Sequence, residues 1–256
     1  MLRIIHTQLM ETPSSKPLDR MDVVMPCYIM NDNLVELTKA TIASLGDNIN
    51  LIIVDDCSPM GGGYLRSVAD TYVRNKTNLG YASSVNKGLR LSTSKHICIS
   101  NNDIRISPNW REVTEEVFAS DPDIYSCHYR MTTYDAPFEY GNNIITSGKE
   151  RWCHASFFVI NRSRALFEYD ETYINTVDDW DYWFTVRKTG FKQAYTDKAQ
   201  FQHKDGATIP TMPKHTERNA ANYEYFKNKW GGMPEELFAK EFPDQMLINY
   251  WDGFKL

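Results

Sequence analysis

Short apolar runs that alternate with amphipathic stretches constrain this chain more than any other feature of its sequence. The apolar runs have the length and composition of buried parallel strands, and the amphipathic stretches have helical spacing. The pattern predicts strands at 22–25, 51–54, 71–74, 96–100, 124–129, 156–160 and 193–195. It predicts helices at 33–45, 64–70, 82–91, 108–118, 176–188 and 220–229. Because strand and helix alternate through the first half, we expect a parallel sheet with crossover helices.

Length and composition limit the classes of protein to which the chain can belong. The 256 residues suffice for one large α/β domain or two small ones. With a formal net charge of −5, the chain lacks the excess of basic residues that is typical of nucleic-acid binders. No apolar run approaches the ~20 residues of a membrane span, and residues 1–20 lack the apolar stretch of a signal peptide. The five cysteines contain no CxxC pair. We therefore predict a cytoplasmic protein with no membrane span and no nucleic-acid partner.

The distribution of turn-forming residues predicts the domain organisation. The turn-rich stretch Thr12–Pro17 sets residues 1–20 apart as an N-terminal arm. Residues 21–207 then form one α/β domain, with halves at 21–104 and 105–207, and residues 208–256 form a C-terminal helical extension. The arm and the aromatic residues Tyr250, Trp251 and Phe254 offer surfaces for a second copy, so a homodimer is a further prediction.

Polar residues cluster where the predicted strands end. Asp55 and Asp56 follow one strand, and Asn101, Asn102 and Asp103 follow another. Open α/β sheets bind ligands at the carboxyl ends of their strands, so this edge is the expected site. No GxGxxG, GxxxxGK[ST] or GxSxG motif accompanies them, which leaves dinucleotide, P-loop and α/β-hydrolase sites unsupported.

Each cluster also has a purely structural interpretation. Asp-Cys-Ser-Pro after Asp55 is good turn chemistry. The acids Asp178, Asp179 and Asp181 open a helix, where they stabilise the helix dipole without any catalytic role. Trp180 suits core packing as well as it suits a sugar platform.

The order of these clusters resembles the inverting family 2 glycosyltransferases of the GT-A fold, especially their bacterial rhamnosyltransferase-like branch. The resemblance runs from about Asp22 to Gly232 and ends on Lys229-Trp230-Gly231. The motifs that carry it are 23–28, 54–58, 78–80, 86–88, 100–103, 170–171, 178–181, Gly190 and His203. The implied fold is α/β: a mixed, mainly parallel GT-A (Rossmann-like) sheet flanked by helices, with a C-terminal helical extension.

The resemblance implies a nucleotide site and a metal site at the sheet edge. The implied nucleotide-binding residues are Pro26, Tyr28, Asp56, Asn78, Asn102 and Asp103. A single acceptor at Asp56 suits the one N–H of a uracil-type ring, so we expect a UDP or dTDP donor. Asp103 and His203 are the implied metal ligands, and an imidazole ligand favours Mn²⁺ over Mg²⁺. Asn101 stands where the family's DXD motif has its first acid, which lowers the charge around the cation.

The resemblance also implies a reaction. Asp179 matches the general base, with Asp178 in place of the Glu before it, and would deprotonate a hydroxyl acceptor. Trp152, His154, Asp178 and Trp180 lie where relatives shape the acceptor pocket. The implied activity is transfer of a hexose or deoxyhexose from a nucleoside diphosphate sugar, by single displacement with inversion, in glycan biosynthesis.

Two other functions remain open at this point. A sugar-nucleotide nucleotidyltransferase also needs strand-end acids and a metal, but its Gly-rich basic loop is missing at Ile29–Asp32. A non-catalytic nucleotide- or sugar-binding protein of the same fold is favoured by Asn101. The joint presence of Asp103, Asp179 and His203 argues against it.

Overall fold

The strands and helices follow one another much as the sequence pattern predicts. The computed structural model describes residues 19–146, 155–204 and 215–241. The strands in these ranges are β1 (Met21–Cys27), β2 (Ile49–Asp55), β3 (Thr71–Arg74), β4 (His96–Ser100), β5 (Ile104–Ile106), β6 (Ile124–Thr133), β7 (Ile144–Thr146), β8 (Phe157–Asn161) and β9 (Lys192–His203). The helices are α1 (Asp32–Leu45), α2 (Gly62–Val68), α3 (Tyr81–Leu91), α4 (Trp110–Ser120), α5 (Asp178–Lys188), α6 (His215–Trp230) and α7 (Pro234–Glu241).

All nine strands join one mixed sheet. Their order is β3-β2-β1-β4-β8-β6-β9-β5, and β7 also pairs with β9. The first four strands in this order are parallel, as are β6 and β9, while β8, β5 and β7 pair antiparallel with their neighbours. The longest pairings are parallel, which confirms the predicted mixed, mainly parallel sheet. The predicted helices towards the C-terminal end of the chain are confirmed as well.

The core lies on both faces of the sheet. Val23 and Met25 of β1 pack with α1, α2 and α4 on one face, whereas Val24 packs with α3, α5 and α6 on the other. Successive side chains of a strand point to opposite faces, so the middle of this central strand, residues 23–25, is apolar on both faces. No helix among the described residues is long and apolar enough to cross a membrane.

Helix α3 approaches β1 unusually closely. A Cβ atom built on Gly88 would lie 2.3 Å from Cγ1 of Val24. Only glycine fits at this position, so the Asn86-Lys87-Gly88 motif has a packing reason. Asn86 is also structural, because its amide donates to the carbonyl oxygen of Tyr169 and accepts from the Tyr169 N–H.

Several element boundaries differ from the predicted ones. Strand β1 continues through Pro26, which lies beyond the β1 residues that pair with β4. Helix α5 begins at Asp178 and not at 176, because Val177 adopts a left-handed φ of 66°. Strand β9 extends to His203, whereas the sequence predicted only 193–195. The short strands β5 and β7 and the helix α7 were not predicted.

The predicted domain boundaries stay predictions. Residues 1–18 of the arm and the aromatic residues Tyr250, Trp251 and Phe254 lie outside the described residues. The part of residues 208–256 that the structure describes is helical, in α6 and α7.

Candidate active site

Asp55 and Asp56, at the end of β2, have different roles. The buried Asp55 carboxylate accepts from the Ser58 N–H at 2.8 Å and the Tyr72 hydroxyl at 2.6 Å, and it pairs with Arg74. These contacts close the turn, as the structural interpretation expects. Asp56 faces the next turn along the sheet edge, and Cys57 after it adopts a left-handed φ of 66°.

The Asp56 carboxylate is held from three directions. Oδ1 accepts from the Asn75 amide at 2.7 Å and the Leu79 N–H at 2.8 Å, and Oδ2 accepts from the Gly80 N–H at 2.8 Å. A carboxylate offers about four acceptor positions, so one remains on Oδ2. The Asp56 N–H donates to the Cys27 carbonyl, which fixes this turn against the end of β1.

The other residues predicted to hold the nucleotide lie around this turn. Pro26 is buried in β1, and Tyr28 follows the strand with a half-buried ring. That ring has no hydrogen bond or ring contact within the described residues, which leaves its face open to a ligand. Asn78 is exposed.

Asn75 is a candidate site residue, because its amide binds Asp56, and the sequence interpretation missed it. It is 3% exposed, and its side-chain amide donates to Ser84 Oγ at 3.2 Å as well as to Asp56. Its side-chain oxygen Oδ1 accepts from Lys87. Asn75 comes directly after β3, so the rule that polar residues at strand ends form the site identifies it. The polar role was instead given to Asn78, three residues later.

Asp103 and His203 meet although about a hundred residues separate them in the chain. The antiparallel pairing of β5 with β9 places Ile104 opposite His203. As a result, Asp103 Oδ1 lies 3.3 Å from His203 Nε2. Asp103 is 6% exposed, and its Oδ1 is buried without a hydrogen-bond partner. An unsatisfied carboxylate oxygen beside an imidazole nitrogen is a donor set that fits a divalent cation.

The two asparagines before Asp103 are not equivalent. The Asn102 amide donates to Thr38 Oγ1 of α1 at 2.8 Å, so this side chain is engaged with the helix below the site. Asn101 is half-buried, and its N–H donates to the Ser156 carbonyl at the start of β8. Among the residues described, no group of three or more His, Cys, Asp or Glu side chains is arranged to hold a metal.

Asp178 and Asp179 form a pair of acids in the first turn of α5. The residue before the helix is Val177, and no side chain caps the helix there. Asp178 is buried, with Oδ2 lacking a hydrogen-bond partner, and Asp179 is half-buried. Burial raises the pKa of both carboxyls, and the charge of Asp178 raises the pKa of Asp179 further. A helix dipole would lower these pKa values, so desolvation outweighs it here.

Helix α3 connects the Asp56 turn to the acid pair. The Gly80 N–H binds Asp56, and the next N–H, of Tyr81, donates to Asn175 Oδ1 just before α5. The Tyr81 hydroxyl donates to the Ala155 carbonyl at 2.7 Å. Burial, and then the charges of Asp178 and Asp179, raise the pKa of Tyr81, so this hydroxyl stays protonated beside the pair.

The residues predicted to bind the acceptor are only partly visible. Trp180 packs edge-on against Phe238 of α7, with ring centroids 5.1 Å apart, as the packing interpretation expects. Trp152 and His154 lie outside the described residues.

The sequence profile of glycosyl transferase family 2 matches residues 22–195, more than half of the chain. The chain belongs to this family. An uncharacterized glycosyltransferase of Haemophilus influenzae is 28% identical over 106 residues, 41% of this chain. The match spans 36% of that relative, so the chain covers about a third of its length. The rhamnosyltransferase-like branch is not identified by these matches and stays a prediction.

Solved structures with low sequence identity share the fold. S. aureus TarS 1–349 in complex with UDP-GlcNAc has a TM-score of 0.55 at 10% identity, over 87% of this chain and 76% of that one. The mannosyltransferase PcManGT from Pyrobaculum calidifontis, in complex with GDP-Man and Mn²⁺, has a TM-score of 0.62 at 16% identity, over 88% and 67%. GalNAc-T7 with UDP, GalNAc and Mn²⁺ has a TM-score of 0.64 at 13% identity, over 93% and 53%. The fold is therefore the GT-A fold.

Proposed function

We propose that this family 2 glycosyltransferase transfers a sugar from a nucleoside diphosphate donor to a hydroxyl acceptor with inversion at the anomeric carbon. The observation that carries the proposal is the 3.3 Å approach of Asp103 Oδ1 to His203 Nε2 at the carboxyl edge of the sheet. The β5–β9 pairing brings the two side chains together, and Asp103 Oδ1 stays without a hydrogen-bond partner there. The acid pair in α5 supplies the second half of the site.

Asp103 and His203 would hold a divalent cation. Such a cation, when bound, neutralises the charge that develops on the departing diphosphate. Two protein ligands suit a metal whose remaining positions are filled by substrate phosphates and water. The imidazole favours Mn²⁺ over Mg²⁺, and two fold relatives were crystallised with Mn²⁺.

The turn around Asp56 would hold the base of the donor. The open acceptor position on Oδ2 suits a single ring N–H, and the uncovered Tyr28 ring suits stacking on its face. A UDP or dTDP donor meets both conditions. One fold relative has been crystallised with UDP-GlcNAc and another with GDP-Man, which supports a nucleoside diphosphate sugar as the donor.

Asp179 would act as the general base. In this step its carboxylate takes the proton of the acceptor hydroxyl while the acceptor oxygen forms a bond to C1 of the donor sugar. The bond from C1 to the diphosphate oxygen breaks, and the nucleoside diphosphate leaves with the electron pair. A raised pKa makes the carboxylate a stronger base once it is ionised.

The decisive experiment incubates the protein with UDP-, dTDP- and GDP-sugars and measures release of nucleoside diphosphate with Mn²⁺, with Mg²⁺ and with chelator. We expect release from UDP- or dTDP-sugars, loss in chelator, and best recovery with Mn²⁺. His203→Ala should raise the Mn²⁺ concentration needed for half-maximal rate. Lys95→Ala, at the amino end of β4, is the matched control and should leave it unchanged.

Two parallel assays separate the other two functions. A nucleotidyltransferase would release pyrophosphate from a nucleoside triphosphate and a sugar 1-phosphate. A binding protein would be stabilised by nucleotide without any turnover. Full activity in chelator would contradict the metal role of Asp103 and His203. Cytoplasmic location, a glycan acceptor and a homodimer also stay predictions.

A further inference from the structure

We propose that Lys229 of α6 is a positioning residue that holds the acid pair of α5 in place and keeps neighbouring carboxylates neutralised. This inference rests on the proposed role of Asp179 as the base. Lys229 belongs to the Lys-Trp-Gly segment, and the mechanism above gives that segment no role.

Lys229 lies between two carboxylates on either side of the acid pair in the chain. Its Nζ is 2.8 Å from Asp170 Oδ2 and 2.9 Å from Asp181 Oδ1. The rings of Tyr173, Tyr225 and Trp230 surround it, with centroids 5.9, 6.0 and 5.4 Å from Nζ. A cation held by two anions and three ring faces is restrained in position as well as in charge.

The same side of α6 fixes the rest of the segment that leads to the acids. Asn222 donates to the carbonyl oxygens of Ile174 and Thr176, at 3.2 and 2.8 Å. Tyr225 donates to Asp170 Oδ2 at 3.0 Å, and Trp230 donates to Asp181 Oδ1 at 2.6 Å. Residues 222, 225 and 229 recur at the three- and four-residue spacing of a single helix face. This face therefore binds residues 170–181 at both ends.

The held segment contains a strained backbone. Val177 has a left-handed φ of 66°, which is costly for a β-branched residue, and it directly precedes Asp178. Such conformations persist only where surrounding contacts impose them. The contacts of α6 before and after Val177 supply that restraint, so loosening them should displace the acids.

Lys229 also sets the charge around the acid pair. The titratable groups that face the pair are Asp181 on α5, Tyr81 on α3, Tyr169 on the connecting segment and Tyr223 on α6, with Glu235 of α7 beyond Tyr223. Lys229 offsets the charge of Asp181, the anion among these groups that acts on Asp178. Without Lys229, that charge would oppose ionisation of the pair more strongly.

The test compares Lys229→Met with Lys227→Met, the same substitution on the exposed side of α6. We expect Lys229→Met to lower kcat by roughly 10- to 100-fold with donor KM nearly unchanged. The acid limb of its kcat/KM profile should move to higher pH. Lys229→Arg should restore that limb, and Lys227→Met should match wild type. Asn222→Ala replaces Lys229→Met if the latter does not fold, and it should lower kcat without moving the limb.

Two outcomes would overturn the positioning role, and the Asp179→Asn variant distinguishes its failure from failure of the proposed base. Wild-type kcat and pH profile in folded Lys229→Met would show that the acids need no such restraint. Equal losses in Lys229→Met and Lys227→Met would indicate general destabilisation. An Asp179→Asn protein with wild-type turnover would remove the proposed base itself, whereas an inactive Asp179→Asn beside a normal Lys229→Met would remove only the positioning role.

Discussion

Asp178 and Asp179 place two carboxyl groups side by side where water solvates them poorly. A folded-state pKa above the unfolded one means that the group favours the fold at low pH, and that this stability is lost as pH rises through the raised value. Ionisation of the pair therefore works against folding. Strain of this kind is common at active sites.

Asp179→Asn should lower the turnover of the protein and raise its melting temperature. The amide cannot accept a proton, so we expect turnover to fall by roughly 10²–10⁴-fold. It also removes a carboxyl whose ionised form burial and the charge of Asp178 disfavour, so the melting temperature should rise where that form is populated, by about 2–4 °C for each kcal/mol relieved. Diphosphate release and thermal unfolding at pH 7 measure the two effects.

Asp181→Asn is the matched control, because its carboxylate binds Lys229 and Trp230. It should lower the melting temperature where Asp179→Asn raises it. If the three acids only served the helix dipole, Asn at position 179 would change neither turnover nor stability appreciably. Unchanged turnover in Asp179→Asn would support that simpler role.

At the scale of elements, the contact between α3 and β1 gives a prediction about packing. Gly88→Ala should destabilise the protein by roughly 1–3 kcal/mol, because the new methyl would overlap the Val24 side chain. The gain in helix propensity, up to about 1 kcal/mol, is too small to offset a severe overlap. Urea unfolding of the single variant measures the loss.

Adding Val24→Ala to Gly88→Ala tests the cause. The smaller side chain leaves room for the methyl, so the double variant should lose less than the sum of the two single losses. Strict additivity would mean that α3 moves away from β1 instead of clashing with it.

The sequence predicted best those elements in which apolar residues are buried and polar residues are exposed. Strands β3 and β4 were predicted to the residue, since both are flanked by turn residues and β4 is buried throughout. Strand β9 was predicted too short because Gln200 and Gln202 look like surface residues. They are buried, with their amides bound to the backbone of residues 135–139. Such distant partners cannot be read from local pattern.

The residues of the candidate site likewise fall into those that the sequence predicted and those that it missed. The strand-end rule and the family resemblance together selected Asp56, Asp103 and His203, and the resemblance added Asp179 at the start of a helix. The structure brings Asp103 and His203 together. Asn75 and the binding face of α6 were missed. Their roles depend on which segments α3 and α6 approach, and only the packed chain determines that.

At the scale of the whole molecule, the network around Lys229 links the sheet domain to its C-terminal helices. Burial opposes ionisation of Asp170, but hydrogen bonds from Lys229, Thr172 and Tyr225 outweigh it and lower its pKa to about 2. A lowered folded-state pKa contributes stability above the unfolded value, and that contribution is lost as pH falls towards the folded value.

The melting temperature of the protein should therefore fall between about pH 4 and pH 2. Asp170→Asn should be less stable at pH 6 and should show a shallower fall across this range. Asp47→Asn, at an exposed residue after α1, is the control and should follow the wild-type curve. Parallel curves for Asp170→Asn and wild type would mean that the network adds little to stability.

The meeting of Asp103 with His203 also has a consequence for the order in which the protein matures. A ribosome adds roughly 5–20 residues per second, so His203 emerges about 5–20 s after Asp103. In that interval β1 to β4 can already pair and enclose the Asp56 turn, whose hydrogen-bond partners are all nearby in sequence. The proposed metal ligands Asp103 and His203 must wait for β9 and for closure of a long loop, which slows folding. The nascent chain therefore completes the Asp56 turn first, and the proposed cation site forms only after β9 has been made.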